Sequence, residues 1–194
     1  MDQRQRKSRD AIFSAFGELL VQKDYEHLAV SDIVRQAHVG RTTFYAHFDT
    51  KDALLDEFCS SIFEHVFSRS VAPEEHHDYS QTSRTLGTSV THLLQHIAEN
   101  DHGVADLLRG PSGEVVLSRL QRNMYDLASG AIEQGELRLA DAAVPRSFLA
   151  HHLAASLTGT IHWWLMHGMH DSPAQVASYY LNAIQGVHGR LTTS

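Results

Sequence analysis

Apolar residues recur at three- and four-residue spacing along most of the chain, and no stretch of useful length alternates with a period of two. The pattern predicts an all-α protein of about nine helices. Ile12, Phe13, Phe16, Leu19 and Leu20 give the first an amphipathic face over about 4–22. Asp24-Tyr25-Glu26-His27 interrupts the spacing. Two short helices follow, over about 30–37 and 41–47, joined by a turn at Val39-Gly40. Thr50 is placed to cap a long helix over about 51–70 whose apolar residues cover much of its circumference. Further helices are expected over about 82–98, 103–109, 114–134, 145–169 and 173–190, with a polar loop over 73–81. The four prolines, at 73, 111, 145 and 173, all fall between these segments or at their starts. Gly135 suits the end of the seventh helix. Ser172 suits the cap of the last, with Pro173 in its first turn.

The chain of 194 residues is long enough for one or two domains with a sizeable core. Cys59 is its single cysteine, which rules out an intrachain disulfide framework and a cysteine-rich zinc module. No apolar run reaches the roughly 18–20 residues needed to span a bilayer, and the N-terminus lacks a signal-peptide stretch, so a soluble, cytoplasmic protein is expected. The net charge of −7 speaks against a polyanionic partner until its distribution is examined. Residues 1–51 carry eight Lys/Arg and seven Asp/Glu, whereas residues 52–194 carry eight and sixteen. All three lysines and the run Arg4, Arg6, Lys7, Arg9 lie in the first part. A small unit (domain 1–50, with a surplus of one cation once Lys51 is counted) followed by a larger acidic one (51–194) fits a nucleic-acid reader joined to a module with another task.

The segment that carries chemistry runs from Asp32 to Phe48. Two short helices across a tight turn form a helix-turn-helix, whose second helix presents its N-terminal residues to base edges. Arg41, Thr42 and Thr43 stand at that end, and threonine offers both a hydroxyl and a methyl group to the major groove. Phe44 and Phe48, one turn apart, are expected to face inward and seat the helix, leaving Tyr45 outward. Tyr45 and His47 can donate to phosphate, and Lys51 at the start of the long helix adds charge beside a favourable dipole. Arg4, Arg6 and Lys7 form either a solvated tail or an arm that tracks the backbone.

The run Thr43-Phe44-Tyr45-Ala46-His47-Phe48 followed by Asp49 and Lys51 resembles the TetR/AcrR family of transcriptional regulators. Tyr25-Glu26, Asp32-Ile33-Val34, Ala37, Val39 and Leu54-Leu55 extend the resemblance over about 12–55. It implies a three-helix DNA-binding domain, a helical regulatory domain, and a homodimer that leaves a palindromic operator when a small effector binds. The C-terminal part is loosely similar to one branch of the family through Gly159, His162-Trp163-Trp164-Leu165 and Ser172-Pro173. Two positions depart from the pattern. His38 stands where the family usually has glycine at a left-handed helix end, and Ala29 where it often has a capping threonine, which Ser31 is placed to replace through backbone or phosphate.

In the larger part, Phe58, Ile62, His96, Met124, His152 and Trp163 are the expected lining of an effector pocket. Trp163 and Trp164 diverge by about 100° on a helix, so both cannot enter one pocket, and the bundle core or a subunit interface is the alternative place for them. Val176, Tyr179, Tyr180, Ala183, Ile184 and Val187 form an apolar stripe suited to a dimer seam, and the resemblance implies an interface built from the last two helices. His92 and His96 share a helical face, but two ligands do not make a metal site, so no metal or cofactor is expected. Cys59 reads as an inert buried thiol. No glycine-rich phosphate loop, nucleophile elbow or metalloprotease motif supports an enzyme. The alternative to effector control is a C-terminal domain that docks a protein partner.

Overall fold

A computed structural model of the chain describes residues 3–68, 86–99, 103–133 and 144–185. Among these, every regular element is helical: α1 (Gln3–Gln22), α2 (Val30–Gln36), α3 (Arg41–Tyr45), α4 (Lys51–Ser68), α5 (Leu86–Ala98), α6 (Val104–Arg109), α7 (Gly113–Glu133), α8 (Arg146–Met166) and α9 (Pro173–Gln185). A single 3₁₀ turn, Tyr25–His27, fills the break between α1 and α2, with the Asp24 carboxylate accepting from the Glu26 N–H. The expected all-α architecture with an N-terminal helix-turn-helix is present. The segments 69–70, 73–81 and 82–85, Gly135 and Val187 lie outside the described residues.

Helix ends follow local chemistry. The Thr50 hydroxyl accepts from the Ala53 N–H at 3.0 Å, capping α4 as its position predicts. Ser172 and Gln175 cap α9 reciprocally: the Ser172 hydroxyl accepts from the Gln175 N–H, and the Gln175 side chain accepts from the Ser172 N–H. The expected helix over 145–169 is shorter than its periodicity suggests. It stops at Met166 because Gly168 and Met169 take positive φ values of 74° and 55°. Likewise α3 ends at Tyr45, with Phe48 still bonded back to the Phe44 carbonyl.

The chain divides into two compact units. The first comprises residues 1–66 and 100–123, so the body around the short helices extends past residue 50 and takes in most of α4, all of α6 and the start of α7. Its core is built from Ile12, Phe16, Leu20, Ile33, Phe44, Leu54, Leu55 and Val116, all inaccessible to solvent. Helix α1 packs on α2, α3 and α6. The turn from α6 to α7 is pinned to the end of α1 by the buried Ser112 hydroxyl, which donates to the Lys23 carbonyl at 2.7 Å. Gly113 opens α7 against the Leu108 carbonyl, so closely that no Cβ would fit.

The second unit comprises residues 67–99 and 124–194. There α9 packs against α5 and α8 around Leu94, Ile97, Ala150, Ile161, Trp164 and Val176. The buried Trp164 indole donates to the Asp171 carbonyl at 3.0 Å, and the Tyr180 hydroxyl to the Leu153 carbonyl at 3.1 Å. Burial raises the Tyr180 phenol to a pKa of about 12. Val176 and Tyr180 therefore belong to the core of this unit, which corrects the expectation that they form a seam. Tyr179 keeps an exposed ring, and Ala183 is exposed as well.

Candidate nucleic-acid interface

Helix α3 is short, and its placement depends on two aromatic anchors. Phe44 and Phe48 are buried with their ring centroids 5.8 Å apart, and Phe13 of α1 closes on Phe48 at 5.7 Å. The Arg9 guanidinium covers the Phe13 ring at 4.6 Å and pairs with Glu57 of α4 at 2.5 Å. With Phe44 and Phe48 inward, helical geometry turns Arg41 and Thr42 to solvent, leaves Thr43 half-buried and exposes 55% of Tyr45. The hydrogen-bonding groups that could reach base edges therefore share the open side of α3.

The preceding helix ends as the motif requires. His38 takes φ 54°, the Val39 N–H returns to the Val34 carbonyl at 3.0 Å, and the Ala37 N–H to Ile33 at 2.8 Å. This left-handed end reverses the chain into α3 without glycine, at the conformational cost histidine bears there. At the other end of α2, Ala29 offers no capping side chain. The Asp32 carboxylate supplies the compensation expected of Ser31: it accepts from the Ala29 N–H at 3.3 Å. That bond and the neighbouring charges of Lys23 and Arg35 hold the Asp32 carboxyl below its usual value. Ser31 sits half-buried beside it in the first turn.

Two expected phosphate contacts are turned toward the protein. The His47 Nε2 lies 2.7 Å from the Ser8 hydroxyl of α1, which ties the end of the motif to the first helix. The Lys51 ammonium donates to the carbonyls of Tyr25 and Leu28 at 2.7 and 2.8 Å and sits 4.0 Å from the centre of the Tyr25 ring. Two of its three N–H donors are thus directed inward, and the expected free cation is a brace for the 3₁₀ turn. Its charge balances a local network: the Tyr25 hydroxyl donates to Asp52 at 2.6 Å, and Arg119 of α7 lies 3.5 Å from Asp52 and 3.2 Å from Asp56. Burial first, and the Asp52 hydrogen bond second, push the Tyr25 phenol well above the ordinary tyrosine value. Arg4, Arg6 and Lys7 are exposed in the first turns of α1, helical rather than an extended arm.

The six expected pocket residues are divided between the two units. Phe58 and Ile62 line a cavity of about 710 Å³ in the first unit, between α1, α4 and α6. This cavity was not legible from periodicity, because its walls come from three helices distant in sequence. In the second unit His96 and Met124 are buried, with the His96 and His92 imidazoles 3.3 Å apart. His152 and Trp163 face outward on α8, a correction to the expectation that they line an interior. Trp163 stacks on His167 and meets Tyr179 edge-on, while its neighbour Trp164 takes the inward position. Cys59 is buried, and burial raises its thiol to about 12, so it is not a ready nucleophile. Among the described residues no group of three or more metal-ligating side chains occurs, and no helix is long and apolar enough to cross a membrane.

This geometry agrees with comparisons to known proteins. The family description "Bacterial regulatory proteins, tetR family" matches residues 12–58, and "Transcriptional regulator C-terminal region" matches residues 85–186. An uncharacterized HTH-type transcriptional regulator of Bacillus subtilis (strain 168), YxbF, is 25% identical over 191 residues, covering 93% of this chain. The chain spans 45% of the length of that relative. Among solved structures, a TetR transcriptional regulator from Streptococcus agalactiae 2603V is 28% identical with a TM-score of 0.66, covering 94% of this chain and 96% of its own. The transcriptional regulator FadR from Bacillus subtilis, in complex with stearoyl-CoA, shares the fold at 18% identity and a TM-score of 0.58, covering 92% of this chain and 98% of its own. The N-terminal match coincides with the helix-turn-helix and the C-terminal match spans more than half of the chain: the protein belongs to the TetR family of bacterial transcriptional regulators.

Proposed function

We propose that the chain is a homodimeric repressor that holds a palindromic operator and releases it when a small molecule binds. The observation that carries this reading is the polar open side of α3, set by the buried Phe44 and Phe48. Arg41, Thr42, Thr43 and Tyr45 read or flank the major groove, with Ser31 toward the phosphates and His47 tying the end of the motif to α1. Lys51 serves the site by bracing the turn beneath it rather than by reaching DNA. Residues 1–50 act as the reading unit and residues 51–194 as the regulatory and dimerising part.

Dimerisation is supported by the exposed aromatic face of the second unit. Trp163 and Tyr179 contact each other across α8 and α9 and remain open to solvent, and Phe148 and Met166 are exposed on α8. A patch of this kind on a soluble chain marks an interaction surface. Two copies joined there would set half-sites about 34 Å apart, or a multiple of that turn. Effector control is supported by the cavity beside Phe58 and by the fold neighbour that holds stearoyl-CoA. The setting is cytoplasmic, where the operator is.

The test is fluorescence anisotropy of labelled DNA from the intergenic region beside the protein's own gene. Sequence-preferred binding that weakens as salt rises is expected. Binding without sequence preference at any salt, or tight binding indifferent to salt, would overturn the reading.

A further inference from the structure

The cavity between α1, α4 and α6 has a chemistry of its own. Phe13, Phe58, Val21, Ile62 and Leu107 make it apolar, and Glu18 and Asp106 make it acidic. None of the described residues that line it is lysine or arginine. The hydrogen-bond partners of Glu18, the Ser14 hydroxyl and the Gln36 amide, are both neutral, so its negative charge is not cancelled by them. Its volume of about 710 Å³ falls within the range of small-molecule sites. Aromatic faces beside carboxylates attract an organic cation and repel a carboxylate or phosphate of equal size.

The walls also lead directly to the DNA-reading helix. Phe58 lies close over the α1 backbone at Gly17, where an added Cβ would come within 3.1 Å of its Cζ. Its ring is 5.4 Å from Phe16 and 5.9 Å from Phe13, and Phe13 is 5.7 Å from Phe48, which packs on Phe44 of α3. A ligand that displaces Phe58 and Phe13 therefore moves the surface on which α3 is seated.

We propose that this cavity is the effector site, that it takes a small hydrophobic organic cation, and that the Phe58–Phe13–Phe48–Phe44 stack transmits its occupancy to α3. This deepens the reading of the chain as an effector-released DNA binder and rests on it. The ligand shifts the protein only by binding the displaced arrangement more tightly than the DNA-competent one.

The experiment uses two ions of matched shape and opposite charge, tetraphenylphosphonium and tetraphenylborate, titrated calorimetrically into the full chain. The phosphonium should bind at least about tenfold more tightly than the borate. Glu18→Gln with Asp106→Asn should weaken the phosphonium by about tenfold, and Ile62→Trp, which adds bulk to the cavity wall, should also weaken its binding. At saturation the phosphonium should lower operator affinity in the anisotropy assay by about tenfold or more. Equal affinity for the two ions overturns the proposal, as does binding indifferent to the carboxylate pair, or operator affinity unchanged at phosphonium saturation. The carboxylate pair is exposed or on the rim, so it keeps the test decisive if Ile62→Trp does not fold. Absence of sequence-preferred DNA binding by the ligand-free chain would mark failure of the underlying regulator reading instead, and calorimetry then judges the cavity alone.

Discussion

Lys51 carries three N–H donors, and two of them meet the backbone carbonyls of Tyr25 and Leu28, the first of which also accepts from the Leu28 N–H. Replacing it by methionine keeps the aliphatic stem and removes the ammonium donor from both carbonyls, so a loss of about 1–3 kcal/mol is expected in urea unfolding. The same residue separates a structural role from a DNA contact. A cation on a phosphate contributes about 0.9 to the slope of log affinity against log salt. Arg41→Gln should therefore lower that slope by about one, and Lys51→Gln should leave it near the wild-type value. A slope lowered equally by both variants would return Lys51 to the interface. No reading of residue types distinguishes these roles, because lysine at the start of a helix suits either. The carbonyls of Tyr25 and Leu28 decide, and they are brought there by the 3₁₀ turn.

The elements of the reading unit depend on local rules and on a few close approaches. Asp32 stabilises the start of α2 as a charged acceptor, and its carboxyl is held below the usual value chiefly by the Ala29 N–H and also by Lys23 and Arg35. A depressed carboxyl contributes stability that is complete above the ordinary aspartate range, about 3.9, and is lost as pH falls through its lower folded value. Asp32→Asn should thus lower Tm at pH 7, and the gap between the two melting curves should close as pH falls toward 3. A gap that stays constant with pH would assign the effect to packing. At the α6–α7 turn, Gly113→Ala places a methyl group against the Leu108 carbonyl, which is backbone and has little room to move. Stability should fall by about 2–3 kcal/mol in the same unfolding assay, with the helical spectrum retained before the transition. The caps at Thr50 and Ser172 and the left-handed end at His38 were legible because each involves residues three to five positions apart. The early stop of α8 was not, since apolar spacing continues past Met166 while the backbone at Gly168 and Met169 does not.

At the scale of the molecule, the charge count and the aromatic pattern acquire positions. The excess negative charge lies in residues 52–194, at −8, whereas residues 1–51 hold a surplus of one cation, with Arg41 open beside the two threonines. So small an excess of cations gives weak non-specific attraction, so in the proposed homodimer tight binding would depend on two reading heads acting together. Trp163→Glu with Tyr179→Glu puts like charges into the proposed seam. The double variant should sediment as a monomer and lose at least about tenfold in operator affinity, while each unit keeps its helical spectrum. A variant that remains dimeric would place the seam elsewhere.

The family resemblance, the all-α class and the helix-turn-helix were legible in the sequence alone, because a helix-turn-helix is a local object. Its periodicity, its turn and the anchors Phe44 and Phe48 lie within a few turns of one another. Tertiary structure decided which of two adjacent tryptophans is buried, that Val176 and Tyr180 serve the core, that Lys51 points inward, and that a cavity opens beside Phe58. Each of these depends on which surface packs opposite a side chain. Helical periodicity says that a helix has an apolar side, but only the helices that cover it determine what that side touches.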